Sequence, residues 1–521
     1  MTLYWDDGAE KTYDRFLQKY DFEGYKVYRS TDPSFLESQV ITDAFGNPTF
    51  RKPIAQFDKI DSVEGFFPFA LNGVQYYLGD NSGLRHSFVD STVQNGQRYY
   101  YAVVSYNQGY VTTNVQGQVL GILPAECTSN IKVDANGNVL YTDVNCAVVT
   151  PGAPAAGFIP AGLVGNLQHN GPGTGSIQIT VLNSDLVKNG DTYQMTFQNN
   201  GPFYNSTVSS YSLENLTTGQ VLDNNVPINY YGQEMPVFDG SIGYIYNDTL
   251  VKIDSTAWLK GQCNYTVIPR LDQQFATTNI AYPADFQIKF YDHVVDTSQH
   301  LFFGGPPAQP VDFTVWNMTE NSKAPFIFYD NNENGKFDAG DEVVIVCGDS
   351  AGAPPAPGQY HTTWSVKFVT DTTQATQIAP SPGDVYEIMT TKPFRDNESF
   401  TFAMRGETID TTLAKNQLGD IKVVPNPYLG AVSWEPPLLF QTGRGQRLLY
   451  FTHLPKFCTI RIYTVSGALV QTLHHDAPDN DGQEPWNLLS KDGMDIAYGL
   501  YIYQVDAPGI GTKIGKFAVV K

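Results

Sequence analysis

One short stretch, Asp330 to Glu342, has the residue types and the spacing of a binding site for a hard cation. It reads DNNENGKFDAGDE, with Gly335 at the sixth position, where a calcium loop turns sharply. The oxygen donors at positions one, three, five, seven, nine and twelve are Asp330, Asn332, Asn334, the Lys336 carbonyl, Asp338 and Asp341. A Ca²⁺ ion takes about six to eight oxygen ligands. The sequence therefore predicts a calcium site formed by these residues.

The role predicted for this ion is structural. Without a cation, Asp330, Asp338 and Asp341 would repel one another at close range. The apolar runs FIFYD and EVVIVC on either side predict strands, so the loop would join two strands and is not an EF-hand. The alternative interpretation is a solvated acidic turn held by Asx hydrogen bonds. The twelfth position departs from the pattern, because Asp341 replaces the usual Glu.

A second motif, Gly348 to Gly352, matches G-x-S-x-G, in which Ser350 would be a nucleophile. That chemistry needs a helix directly after the serine to aim its hydroxyl and complete the oxyanion hole. The following residues, APPAPG, cannot form one. We therefore predict no catalytic residue, no organic cofactor and no enzyme activity.

Composition limits the possible partners. The chain has 521 residues, a net charge of −21 and a pI of about 4.7. An acidic surface argues against binding nucleic acid or an anionic membrane. No apolar run approaches the roughly 20 residues of a membrane-spanning helix. These features indicate a secreted protein with no membrane-spanning segment.

Frequent aromatic, Gly, Pro, Asn and Thr residues predict short strands joined by many turns. The predicted fold class is all-β, with serial β-sandwich domains and almost no helix; residues 9–20 are the one amphipathic helical candidate. The predicted segments are 1–118, a β domain; 119–165, a hairpin and Pro/Gly/Ala linker; 166–318, a β-sandwich; 319–408, a β domain with the calcium loop; and 409–521, a C-terminal domain.

The first segment resembles a fibronectin type III domain. Trp5 takes the place of the core Trp of the second strand, GYKVYRS forms the third strand, and residues 98–106 form the strand with the buried Tyr. Residues 31–95 are a long insertion relative to that domain, and nothing precedes the second strand. The missing first strand predicts self-association through β-edge contacts or strand complementation. No basic leader begins at Met1, so a secreted form would start after a leader or inside a longer chain.

The last segment resembles the Ig-like C-terminal domains of proteins exported by the type IX secretion system, and the related flagellar-hook-cap-type Ig-like fold. The residues that carry this resemblance are Pro425-Asn426-Pro427, Ile462-Tyr463 with Ser466-Gly467, Trp486, Gly499-Leu500-Tyr501 and Gly515-Lys516-Phe517. The resemblance implies export and attachment at a bacterial cell surface. The alternative is a purely structural terminal sandwich.

Five cysteines leave the redox state open. Cys127 with Cys146 and Cys263 with Cys347 are possible disulfides, and the alternative is that none of them pairs. Cys458 lies in the apolar run FCTIRIY, which predicts a buried free thiol.

Three functions remain open. The first is a non-catalytic structural subunit of an extracellular filament, sheath or surface layer, stabilised by calcium. The second is a monomeric adhesin or carbohydrate-binding surface protein. The third is the accessory C-terminal region of a larger secreted hydrolase. Short Asn-x-Ser/Thr and Asp-Ser/Thr motifs and exposed aromatic residues leave glycans open as modifications or ligands.

Overall fold

A computed structural model describes residues 1–38, 40–42, 48–134, 138–200, 207–273, 279–301, 305–348, 360–370, 373, 376–396, 398–432, 435 and 447–520. Strands make up 49% of the described residues and helix 4%, which confirms the all-β class. The chain forms two compact units. Unit 1 contains Met1–Gly162, Val181–Val187 and Gly406–Lys521, and unit 2 contains Leu163–Thr180 and Lys188–Arg405.

The N-terminal part of unit 1 is built of short strands. They are β1 (Thr2–Tyr4), β2 (Phe22–Ser30), β3 (Ile41–Thr42), β4 (Pro48–Phe50), β5 (Ala55–Asp58), β6 (Gly65–Leu71), β7 (Val74–Gly79), β8 (Ser87–Val89), β9 (Tyr99–Asn107), β10 (Tyr110–Thr113), β11 (Val119–Ile122), β12 (Ile131–Val133), β13 (Val139–Thr142), β14 (Cys146–Val149) and β15 (Phe158–Ile159). Turns of 3₁₀ helix cover Gly8–Lys11 and Leu36–Ser38.

A four-stranded antiparallel sheet in the order β14-β9-β2-β5 is the centre of this part. Strand β1 pairs with β8, and Trp5 packs edge-on against Tyr25 of β2, with ring centroids 5.7 Å apart. The strands predicted at GYKVYRS (residues 24–30) and at residues 98–106 are neighbours in this sheet, since Tyr25 lies opposite Ser105. Within the described residues β1 has β8 as its only strand partner.

The helix predicted over residues 9–20 is wrong beyond its first turn. The 3₁₀ helix ends at Lys11, and Asp14 then pairs with Lys19 in a bridge. The Asp14 carboxylate accepts the backbone N–H groups of Phe16 and Leu17, an interaction that competes with helix formation. The described α-helix lies elsewhere, at α1 (Thr411–Gln417), where Asp410 provides the cap that residues 9–20 lack.

Unit 2 holds the middle of the chain. Its strands are β16 (Gly162–Asn170), β17 (Ser176–Val181), β18 (Thr192–Asn200), β19 (Thr207–Asn215), β20 (Gln220–Pro227), β21 (Gln233–Glu234), β22 (Ser241–Tyr246), β23 (Ile253–Lys260), β24 (Thr266–Leu271), β25 (Phe286–Phe290), β26 (Asp296–Thr297), β27 (Pro310–Val311), β28 (Phe313–Asn317), β29 (Ser322–Lys323), β30 (Phe326–Tyr329), β31 (Glu342–Cys347), β32 (His361–Val369), β33 (Val385–Thr390) and β34 (Ser399–Arg405). A 3₁₀ turn covers Ser184–Leu186, which belongs to unit 1.

A sandwich of two sheets, β23-β33-β25-β28-β29 and β24-β32-β31-β30, encloses a core of unit 2. The alternating side chains of β25 show how this core forms. Phe286, Ile288 and Phe290 point into it and are buried, while the residues between them are partly exposed. Strands from both sides of residue 318 share these sheets, so the predicted boundary there does not separate two sheets. Periodicity identifies strands but does not say which distant strands pair. As a division into independently folding pieces, the five segments stay a prediction.

The C-terminal part of unit 1 contains α1, a 3₁₀ turn at Leu418–Asp420, and the last strands: β35 (Thr408–Ile409), β36 (Lys422–Val424), β37 (Tyr428–Leu429), β38 (Leu449–Thr452), β39 (Phe457–Thr464), β40 (Leu469–Asp476), β41 (Glu484–Trp486), β42 (Gly499–Ala507) and β43 (Gly511–Val520). The sheets β36-β38-β41 and β37-β43-β42-β39-β40 share one core, in which Trp486 and Phe517 pack edge to face. Strand β35 pairs with β15.

The Pro/Gly/Ala segment predicted as a linker is packed against this sandwich. Residues 151–157, here called the strap, bury Ala153, Ala155 and Ala156. Ala153 accepts the backbone N–H of Gly482, and the Ala156 N–H donates to the Leu454 carbonyl. Small side chains let the two backbones approach this closely. The strap is therefore an ordered element of unit 1.

Candidate metal centre

The predicted calcium loop, residues 330–342, joins β30 to β31, two antiparallel neighbours in one sheet. Phe337 fixes the middle of the loop, because its ring is buried and stacks on Phe368 with centroids 3.9 Å apart. The backbone N–H of Gly340 donates to the Phe368 carbonyl. A rigid sandwich therefore positions the polar residues around Phe337.

Two of the predicted carboxylates organise the loop backbone. Asp330 accepts the N–H of Asn334 over 3.2 Å and the N–H of Gly335 over 2.7 Å. Asp341, which is fully buried, accepts the N–H of Asn331 over 2.8 Å and the N–H of Asp338 over 3.0 Å. Both carboxylates thus point inward from opposite ends of the loop.

The third carboxylate is held by the two predicted amide ligands. Asn332 Nδ2 donates to Asp338 Oδ1 over 2.8 Å, and Asn334 Nδ2 donates to Asp338 Oδ2 over 2.6 Å. The Asn334 Oδ1 accepts the backbone N–H of Lys336, so Lys336 also lies in this network. The structure brings the six predicted residues into one loop network.

Backbone shape and charge both fit a cation. Gly335 has a φ of 77°, a left-handed conformation that glycine adopts without strain and that makes the turn predicted at this position. Burial raises the pKa of Asp341, and the nearby charges of Asp338 and Asp330 raise it further. A divalent cation would remove that repulsion.

Within the described ranges, no three His, Cys, Asp or Glu side chains stand in an arrangement that would hold a metal by themselves. An ion in this loop would therefore also need amide and backbone oxygens. The amide groups of Asn332 and Asn334 present nitrogen to Asp338 here, and rotation of each amide would present oxygen instead. The donor set, carboxylate and amide oxygens in a glycine-turned loop, fits Ca²⁺ chemistry.

Sequence reasoning missed two residues that shape the loop. Phe337 was not identified as its anchor, although a single aromatic residue among polar neighbours is the signal that indicates one. Asn331 donates its side-chain N–H to the Gly340 carbonyl over 2.6 Å and closes the base of the loop. No pattern of ligand spacing marks this residue.

The serine motif lies largely outside the described residues, which end at Gly348 and resume at Tyr360. All five cysteines are free, so the two possible disulfides are absent. Cys458 is a buried free thiol, as predicted. No described helix is long and apolar enough to cross a membrane.

No protein-family profile matches the chain, and no curated protein matches it. Among solved structures, the chain is similar to PorZ of Porphyromonas gingivalis, described as an essential bacterial surface component of the type-IX secretion system. The identity is 11%, the match covers 89% of this chain and 74% of PorZ, and the TM-score is 0.18. Dimeric latent PorU from the same organism matches with 12% identity over 87% of this chain and 36% of PorU, with a TM-score of 0.14. At these TM-scores the likeness carries no argument about function, and what is established is that the chain is an all-β protein of two compact units.

Proposed function

We propose that this chain is a non-catalytic, secreted protein of the bacterial cell surface and a structural subunit of an extracellular assembly. The observation that carries the proposal is the packed strap. The segment whose composition is typical of a flexible linker is held by backbone hydrogen bonds to Leu454, Asp479 and Gly482. A chain whose β elements are joined by packed segments transmits load without first unfolding a linker.

Further support comes from the sheets of unit 1. The β1-β8 pair beside the sheet β14-β9-β2-β5 is compatible with a fibronectin type III-like arrangement that lacks one strand. The two-sheet sandwich of residues 421–520 is compatible with the Ig-like sorting-type domain proposed for the C-terminus. Type IX export and surface attachment are part of this proposal.

The calcium loop has a stabilising role in the proposed assembly. It closes the β30-β31 hairpin of the unit 2 sandwich, where Phe337 ties it to the core. An ion held by Asp330, Asp338 and Asp341 would cross-link both ends of the loop and resist its opening. Extracellular fluid supplies Ca²⁺ at concentrations that such loops bind.

Electron microscopy of native material released from the cell surface tests the proposed assembly. Periodic filaments, sheaths or layers that contain this chain are the expected result. Dispersed single copies without periodic contacts would contradict the proposal.

One observation favours a second candidate, a carbohydrate-binding surface protein. Tyr13, Phe16 and Tyr20 are exposed, and the rings of Tyr13 and Tyr20 lie 5.1 Å apart. Exposed aromatic faces stack on sugar rings in many binding sites, so a glycan array with the purified chain examines this function. Binding lost in the Phe16→Ala and Tyr20→Ala variants would favour it over the structural role.

A further inference from the structure

The hairpin of β10 and β11 stands apart from the other sheets of unit 1. Tyr110 pairs with Ile122 and Thr113 with Val119, and within the described residues neither strand pairs with a third. An isolated two-stranded hairpin is marginally stable in water. Its outer edges also expose backbone N–H and C=O groups that template further pairing.

The hairpin is held in place at its base. A Cβ at Gly121 would lie 2.4 Å from the Phe69 ring, so the β11 backbone rests directly on that side chain. Gly109 has a φ of 69°, and its carbonyl accepts the Lys19 ammonium over 3.2 Å. The exposed edge is therefore a fixed feature.

The apolar side chains of the hairpin are largely exposed, and its remaining side chains, including Thr112 opposite Leu120, are polar but uncharged. Register and alternation place Tyr110, Leu120 and Ile122 on the face opposite to Gly121 and Phe69. Leu120 is 51% exposed, and Val115 at the tip is 98% exposed. Apolar side chains grouped at an unpaired strand edge are typical of an interaction surface.

The lack of charge in the hairpin favours a second copy of the chain as the partner of its free edge. The chain carries a net charge of −21, yet residues 107–125 contain no Asp, Glu, Lys, Arg or His. Natural proteins protect free edges with charged residues or Pro, and neither interrupts β10 or β11. Two copies repel each other over most of their acidic surface, but pairing β11 with β11 brings no charged side chains opposite each other. The Lys19 ammonium lies over the Tyr110 ring of β10. A neutral apolar strand can therefore pair with a second copy of itself despite the net charge of the chain.

We propose that β11 pairs with β11 of a second copy, antiparallel and centred near Leu120, and forms a four-stranded sheet across a twofold axis. This inference rests on the proposed function and names one contact through which copies associate. Antiparallel pairing of one strand with its own copy satisfies twofold symmetry. One short strand pair gives a weak dimer, and repetition along an assembly raises its avidity.

Sedimentation velocity of the full chain across a concentration series tests the contact. The wild-type chain is expected to form dimers reversibly. Leu120→Lys places two like charges opposite each other at the axis and is expected to raise the dimer Kd about tenfold or more. Leu140→Lys makes the same change at an exposed residue of β13 and is expected to leave the Kd unchanged.

A charge swap separates direct contact from misfolding. An equimolar mixture of Leu120→Lys and Leu120→Glu is expected to restore association, since opposite charges then meet at the axis, while circular dichroism of each variant matches wild type. Unchanged dimerisation of Leu120→Lys, a strictly monomeric wild-type chain, or no recovery in the mixture would each overturn the inference. A strain that carries Leu120→Lys and still forms native assemblies with normal periodic contacts would contradict the β11 contact. The proposed structural function would then stand without it.

Discussion

Asp338 and Asp341 lie close together in the calcium loop but have different surroundings. Asp341 is fully buried and accepts two backbone N–H groups, so the loop needs it whether or not an ion binds. Asp338 is partly exposed and is bonded to the side-chain amides of Asn332 and Asn334, which can turn away. Asp338 is therefore the better residue for separating ion binding from folding.

Calcium is expected to stabilise the wild-type chain, and Asp338→Asn is expected to remove most of that gain. An ion that binds only the folded state adds about 2.7 kcal/mol at one hundred times its Kd. The melting temperature should therefore rise with Ca²⁺ and fall with EDTA in wild type, and change little in the variant. Differential scanning calorimetry checks this.

Glu333→Gln is the matched control, because Glu333 is an exposed acid of the same loop that is not a predicted ligand. It should keep the calcium response of wild type. Equal melting temperatures with Ca²⁺ and with EDTA in the wild-type chain would contradict the site.

Glu23 is a second buried acid, in unit 1. It lies at an irregularity of the β2-β9 pairing, is fully buried, and neither carboxylate oxygen has a hydrogen-bond partner within the described residues. Burial raises the pKa of Glu23 to about 7. Gln108 lies near enough to lower that pKa, but not in hydrogen-bond geometry.

Because of Glu23, the free energy of unfolding should fall as the pH rises from about 4.5 to about 7. In this window the unfolded chain releases the Glu23 proton while the folded chain holds it, so each added pH unit favours unfolding. The loss is on the order of 3 kcal/mol and is complete above pH 7. Glu23→Gln should remove this part of the pH dependence and be the more stable form at pH 8. Urea unfolding of wild type and variant at pH 5 and pH 8 measures the free energies of unfolding. If the variant loses as much stability between pH 5 and pH 8 as wild type does, Glu23 is not the cause.

At the scale of elements, the strap shows how small residues create contact. A Cβ at Gly482 would lie 2.4 Å from the Pro154 carbonyl oxygen. The same position donates its backbone N–H to Ala153. The strap and the β38-β41 region are therefore packed backbone to backbone.

Gly482→Ala is expected to destabilise unit 1 by roughly 2 kcal/mol, because the added methyl group forces the strap outward. Gly419→Ala is the control, since a Cβ there would meet no atom within 4 Å. Thermal unfolding of both variants, followed by limited proteolysis at residues 151–157, checks the expectation. Equal stability of the two variants would show that the strap is not packed as described.

Local signals predicted individual strands but not their partners. The segment GYKVYRS identified β2, and the polar run between FIFYD and EVVIVC identified a loop between two strands. Pairing of β25 and β23 with β33 depends on contacts about 100 and about 130 residues apart, respectively, which alternation does not encode. The strap was missed for a related reason, because Ala and Pro are common in both flexible linkers and close backbone contacts.

At the scale of the molecule, each unit has its own core. The unit 2 core contains Phe290, Phe337 and Phe368, and a core of unit 1 contains Phe451, Trp486 and Phe517. Each core includes strands of two sheets. Because these two cores share no residue, we expect the two units to unfold separately.

Calorimetry should resolve two transitions, one for each unit. Addition of Ca²⁺ should raise only the transition of unit 2, which contains the calcium loop. Gly482→Ala should lower only the transition of unit 1. A calcium shift confined to the unit 1 transition would contradict this assignment.

The pairing of β15 with β35 has a consequence for biosynthesis. Phe158 and Ile409 are neighbours in one two-stranded sheet but roughly 250 residues apart in the chain, a span whose closure carries a large entropic cost. During synthesis, all of unit 2 emerges before residue 408. Unit 2 can therefore fold before β35 has been synthesised. Until the C-terminal sandwich forms, the alanines of the strap have no partner and stay exposed. A nascent chain that stalls before Gly406 would carry a folded centre and an unfinished N-terminal part, the species that a chaperone would need to protect.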